Sequence, residues 1–119
     1  KVIAKHQQEA WPFLKKYLED NREYYIRFGV VMLMDWFIDE EYIDRVLLEI
    51  QKAKTDDYYA MMAVAWALSV CFVKFPEKTM EVIKEGSLDV VTHNKTIQKI
   101  RESYRVDAET KKELQNYRR

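Results

Sequence analysis

The side chains best suited to recognition in this chain are one arginine, one tryptophan, two tyrosine pairs and a basic cluster. Arg27 lies between Ile26 and Phe28, a charged fork inside an apolar run. A planar, permanently charged guanidinium in that setting either clamps a phosphate or lays its stem over apolar surface with its head in water. Trp66 has Ala63, Ala65 and Ala67 around it. Those small residues let a ligand or another backbone approach; core packing is the competing reading for a large aromatic. Tyr24-Tyr25 and Tyr58-Tyr59 open two long helical segments. They can line a cleft with hydroxyls toward phosphate, or one of each pair packs inside while the other shields a helix end. At most one functional residue per pair is expected. Lys95, Lys99, Arg101 and Arg105 could touch backbone phosphates, but the usual reading of such a run is a solvated helix face.

Other chemistries are poorly served. His6 and His93 have no Cys or acidic partner at ligand spacing, so no metal site is expected. Cys71 is the lone cysteine, which rules out an internal disulfide framework. Its apolar neighbours raise a thiol pKa and make it a poor nucleophile. With Gly29 and Gly86 as the two glycines there is no phosphate-cradling loop, and no cofactor is expected. Asp35 falls at the end of a helical segment, where a cap or salt bridge accounts for it. Trp11 and Trp36 read as core.

These groups must be carried by helices. The chain has 119 residues, 48% hydrophobic and 34% charged, with only 2 Gly and 2 Pro. That is one small domain with enough apolar mass for a core and too few turn residues for an all-β fold. The net charge is zero, so no global field draws nucleic acid. Residues 95–119 carry eight basic and four acidic side chains, which leaves residues 1–94 correspondingly acidic. The longest uncharged run, Tyr58–Val73, is sixteen residues and contains two tyrosines and a serine. A membrane span needs about twenty apolar residues, so a buried helix is expected. The polar start is unlike a signal peptide, and with the lone cysteine it fits a reducing cytoplasm.

Helical segments are predicted over about 2–8, 11–19, 22–37, 40–53, 57–74, 76–85 and 92–104, with a last charged, solvent-rich helix to about 117. Pro12 marks a first turn, Asp20-Asn21 a stop and new cap, and Asp39 a cap. Thr55-Asp56 opens the helix over 57–74. Pro76 starts the next and Gly86 closes it; Thr92 or Asp89, and then Asp107, begin the last two. Ile26, Val30, Leu33 and Phe37 form one apolar face of the third segment, and Phe28, Val31 and Met34 a second, so that helix should be covered on two sides. Residues 24–50 recur loosely as 58–83 with a shift of 34. Tyr24-Tyr25 falls on Tyr58-Tyr59, Val30 on Val64, Met32 on Trp66 and Val46 on Met80, whereas Arg27 falls on Met61. A long helix apolar on two faces, followed by a short one apolar on one face, at this period, is the pattern of a helical repeat. The helices are longer than in tetratricopeptide repeats, so an all-α, HEAT-like stack of antiparallel pairs is the expected fold.

The segments REYYIRFGVVMLMDWFIDEEYIDRVL, DDYYAMMAVAWALSVCFVKFPEKTMEVI and NKTIQKIRESYRV, from about Trp11 onward, closely resemble the C-terminal half of the bacterial DNA alkylation repair family. These are AlkD-like DNA glycosylases built of HEAT-like repeats. The resemblance implies a bacterial cytoplasmic protein that binds double-stranded DNA bearing cationic N3- or N7-alkylated purines. It implies that Arg27 reaches the DNA backbone, that Trp66 packs beside the lesion deoxyribose and that Tyr59 is a third cleft residue. Tyr25 and Lys95 are secondary DNA-contact candidates. Such lesions already have a weakened glycosidic bond, so the enzyme need only stabilise an oxocarbenium-like sugar. The family's Asn-Trp-x-x-x-Asp motif is missing, so no catalytic residue is expected in this chain, and glycosylase activity should be weak. Met61 and Ser69 stand where the family carries basic residues and read as lost phosphate contacts. The chain begins as if in mid-structure, so earlier repeats are expected before Lys1, and the first helices should expose apolar surface. The alternative function is a non-catalytic helical scaffold for a protein partner.

Overall fold

The uncharged run becomes the central helix. In the computed structural model, which describes the backbone of residues 2–19, 23–52, 57–86 and 88–119 and the side chains of 6–16, 26–52, 57–86 and 88–119, α4 spans Tyr58–Lys74. Asp57 caps it by accepting a hydrogen bond from the Ala60 amide at 2.8 Å. Ala60, Val64, Ala67, Leu68 and Cys71 are buried along one side and Met61, Ala65 and Phe72 beside them, so more than half of the circumference is covered. The alanines matter because helices pack closest where side chains are small. α4 lies between α2 (Glu23–Trp36) and α6 (Val90–Glu102), with α5 (Pro76–Glu85) against it. α1 (Val2–Glu19) packs on α2, α3 (Ile43–Lys52) touches α1, α4 and α5, and α7 (Ala108–Gln115) packs on α6. The described residues are all-helical, without a strand. No helix among them is long and apolar enough to cross a membrane.

Two apolar clusters follow from this order. Ile26, Val30, Leu33, Phe37, Ile43, Val46, Ile50, Val64 and Leu68 belong to one that joins α1 through α5. Phe72, Ile83, Ile97, Ile100, Val106 and Leu114 form another, which ties α6 and α7 to the ends of α4 and α5. The last charged helix is less solvent-rich than expected: it buries Leu114, and the residues after it fold back. The Tyr117 carbonyl bonds His93 Nε2 at 2.6 Å, and Arg119 Nη1 donates to the Gly86 and Leu88 carbonyls at 3.0 and 2.7 Å. Accepting carbonyls require that His93 carry its proton on Nε2.

The turn chemistry behaves largely as its residues dictate. Pro76 occupies the first turn of α5, where its missing N–H leaves nothing unpaired, and Gly86 ends the helix in the left-handed region at φ 67°. Asp89, rather than Thr92, is the N-cap of α6, and Asp107 that of α7. Hydrogen bonds from Thr110 hold the Asp107 carboxyl below its usual pKa.

Three local expectations need correction. The segments 2–8 and 11–19 are one helix, with Pro12 inside it. Gln7, Ala10, Trp11 and Leu14 face inward and carry the helix through, while Pro12 and Gln8 are exposed, so water can reach the Gln8 carbonyl that proline leaves unpaired. The helix expected from residue 40 starts at Ile43, because Asp39 first closes a turn by accepting from the Tyr42 amide at 3.0 Å. The 34-residue shift holds for α2 and α4 but not for α3 and α5. Ile43, Val46 and Leu47 are buried in α3, and their counterparts in α5 are Thr79, Val82 and Ile83, a shift of 36. The pairing of Val46 with Met80 therefore joins a fully buried residue to a half-buried one. The repeats also differ in build: α4 has 17 residues against 14 in α2, and passes to α5 through Phe75 alone, whereas α2 passes to α3 through residues 37–42. Asp20-Asn21 and Thr55-Asp56 lie outside the described residues.

Candidate nucleic-acid interface

The uncovered side of α4 carries Tyr59, Met62, Ala63, Trp66, Ser69, Val70 and Val73, none of them fully buried. Their spacing of three and four places them on one helical stripe. Tyr59 and Trp66 are seven residues apart, two turns, so they point the same way at about 10 Å separation along the axis. Trp66 is 55% exposed and Tyr59 64%. Trp66 is therefore not a core residue. Trp36, expected in the core, is also 56% exposed; Trp11 is part of the interior, its ring 5.5 Å from both Phe37 and Tyr42.

Arg27 reaches this stripe from the neighbouring helix α2. Its guanidinium carbon stands 5.6 Å from the centroid of the Tyr59 ring, within cation–π range. Tyr58 meets Tyr59 edge-on at 5.5 Å and 83°. Both residues are exposed, and the pair leads along α4 to Trp66. Arg27, Tyr59 and Trp66 are brought onto one face. The Tyr25 side chain lies outside the described residues, and the Tyr24 side chain with it.

Beyond Trp66 the face deepens into a groove of about 320 Å³ between the C-terminal halves of α4 and α6. Trp66, Ser69, Val70, Val73 and Lys74 line one side, and Lys99, Glu102, Ser103 and Arg105 the other. Lys99 and Glu102 are a loose pair at 3.9 Å. Three cations against one carboxylate make the groove electropositive although the chain as a whole is neutral. Of the basic cluster, Lys99 and Arg105 face this groove. Lys95 does not line it; it donates to Gln98 on its own helix at 3.2 Å. Arg101 is directed to α7, donating to Gln115 at 2.6 Å. Nothing in the sequence marks Lys74, because its relation to Lys99 and Arg105 exists only once α4 and α6 pack.

Met61 changes meaning. At 9% exposure it belongs to the buried side of α4, so a basic side chain there would enter the core rather than meet a phosphate. Ser69 does face the groove. Its hydroxyl donates back to the Trp66 carbonyl at 2.6 Å and offers no charge. Asp35 is exposed near the end of α2. Burial pushes the Cys71 thiol up to about 12, which removes it as a nucleophile. His93 is buried and bonded to the C-terminal segment, and among the described residues no group of three His, Cys, Asp or Glu is placed to hold a metal ion.

A different surface lies between α1 and α2. Phe13, Phe28 and Trp36 are 46–58% exposed and, with Ala10, Leu14, Met32 and Phe37, line an almost wholly apolar groove of about 650 Å³, rimmed by His6 and Glu9. The first helices thus expose apolar surface, as expected. The second apolar set of α2 is only partly covered, since Phe28 opens onto this groove. Phe28, Met32 and Trp36, spaced by four, carried the signal for it. No family model, no curated protein and no solved structure matches this chain.

Proposed function

We propose that the protein binds duplex DNA as part of an alkylpurine DNA glycosylase of the alkylation repair kind, its helices stacked as HEAT-like pairs. The face made by Arg27, Tyr59 and Trp66 is the contact surface. The observation that carries this reading is the Arg27 guanidinium resting on the exposed Tyr59 ring, on the stripe that also bears Trp66. A donor fork held by an aromatic face suits a phosphodiester, and an exposed indole suits a deoxyribose or base. The packing of α2, α4 and α6 side by side is compatible with a repeat array, and the resemblance in the REYYIRF and AVAWALS elements is what supports this choice of family.

Chemistry at such a face would be electrostatic. A cationic purine leaves readily, and electron-rich rings such as Trp66 and Tyr59 favour the positive charge that develops on the sugar. A carboxylate would do this more strongly, and the motif that supplies it is absent from the sequence. The chain by itself therefore releases little or no N7-methylguanine from duplex DNA, and efficient release would contradict this assignment.

The test is binding of a labelled 20-base-pair duplex by wild type, Arg27→Ala and Lys52→Ala. Lys52 is a remote surface control, 3.6 Å from Glu49 on α3. Weaker binding by Arg27→Ala alone supports the proposed face; equal effects of the two substitutions oppose it. The second reading, a scaffold for a protein partner, is favoured by the apolar α1–α2 groove. No duplex affinity at low salt would leave that reading standing.

A further inference from the structure

The groove beyond Trp66 is more than a continuation of the same face. It combines an exposed indole at one end, the Ser69 and Ser103 side chains within it, and Lys74, Lys99 and Arg105 around it. The cations come from three places in the chain: the last turn of α4, the last turn of α6, and the segment after α6. Among the described residues none is held by a strong ion pair; Lys99 to Glu102 is a loose contact, 3.9 Å long and partly exposed. Cations in excess around a concavity, rather than scattered on convex helix faces, are what an anionic ligand requires. The volume, about 320 Å³, is at the low end for a small-molecule site and fits one nucleotide unit rather than a long segment.

We infer that this groove is a nucleotide subsite of the DNA-binding face, with Trp66 against the sugar or base of one nucleotide and Lys99 and Arg105 on its flanking phosphates. Lys74 neutralises the same stretch of backbone from the α4 side. The inference rests on the DNA reading above and adds the direction of the strand path: from Arg27 and Tyr59, along α4 past Trp66, toward the C-terminal ends of α4 and α6. It also explains how a chain without net charge can hold DNA, since four cations lie along this path while Lys95 and Arg101, the other basic residues of α6, are turned elsewhere.

A competing role is local. Lys74 and Lys99 stand in the last turns of their helices, where positive charge offsets the carbonyl ends. The two roles differ in what they move. The full 119-residue chain is titrated with a 20-base-pair duplex between 50 and 200 mM salt, as wild type, Lys99→Gln/Arg105→Gln and Arg27→Ala. Each phosphate contact contributes about 0.9 to the slope of log affinity against log salt, so the double variant should lose roughly 1.8 of it. Its affinity at the low-salt end should fall about tenfold or more, with the thermal midpoint unchanged. An unchanged slope in the double variant, with wild type binding and Arg27→Ala weakened, overturns the subsite and leaves the DNA reading intact. A lower midpoint with an unchanged slope assigns Lys99 to its helix end and also overturns it. Absence of duplex binding by wild type removes both claims together.

Discussion

Replacing Trp66 by alanine separates a surface tryptophan from a structural one. The side chain is 55% exposed, so a little under half of it is removed from water on folding. A fully buried aromatic hides roughly 150–250 Å², so this one hides about 70–110 Å². At about 25 cal/mol per Å² that is at most about 2–3 kcal/mol, and about 1–2 kcal/mol once the compactness of the unfolded chain is counted. A buried tryptophan would cost about 3–5 kcal/mol. Stacking of one nucleotide on an aromatic is worth about 1–3 kcal/mol, a loss of roughly 5- to 150-fold in affinity. Trp66→Ala should therefore unfold in urea at a modestly lower midpoint with unchanged m-value, and bind duplex DNA at least several-fold more weakly. The assays are chemical denaturation followed by far-ultraviolet circular dichroism and fluorescence anisotropy with labelled duplex. A destabilisation above about 3 kcal/mol with unaltered DNA affinity would make Trp66 a packing residue and refute the reasoning.

Three further outcomes test the fold around the site. Leu68→Ala removes a fully buried side chain at the centre of α4 and should cost about 2–5 kcal/mol, read as a lower urea midpoint. Gly86→Ala should cost about 1–2 kcal/mol from its left-handed backbone alone, because an added Cβ meets only Arg119 Nη1 at 4.0 Å; an unchanged midpoint would contradict the helix ending described here. Cys71 titrates near 9.0 when unfolded and near 12 when folded. Its contribution to stability is thus complete below pH 9 and lost as pH rises toward 12. At pH 8 an aromatic disulfide reagent should react with the thiol only after denaturant is added; rapid reaction of the native chain would show that the residue is accessible.

The chain announces its helices more clearly than its surfaces. The run between Asp57 and Lys74 has no charge and is bounded by a capping residue and a cation, so α4 is readable nearly to the residue. Pro76 and Gly86 bound α5 in the same way. Pro12 misleads because a proline signals a helix start or break, and only packing shows that the face through Gln7, Ala10 and Leu14 keeps the helix whole. The echo misleads in α3 and α5 because a repeat in composition does not carry the length of each long helix or of the connection that follows it. Trp66 and Trp36 could not be placed by type: periodicity finds an apolar stripe but does not say whether another helix covers it. Met61 and Arg27 hold the same place in the echo, yet Arg27 is exposed and Met61 is covered by the neighbouring helices. Lys74, Lys99 and Arg105 are separated by up to thirty-one positions and meet only because α6 packs on α4.

The most direct measurement of the central claim is the salt dependence of duplex binding by the wild-type chain. Arg27, Lys74, Lys99 and Arg105 lie along the proposed strand path. Four phosphate contacts predict a slope of about −3.6 in log affinity against log salt, decreasing by about 0.9 in magnitude for Arg27→Ala. No affinity for duplex at 50 mM salt, or a slope indistinguishable from zero, would contradict a DNA-binding face on α2, α4 and α6.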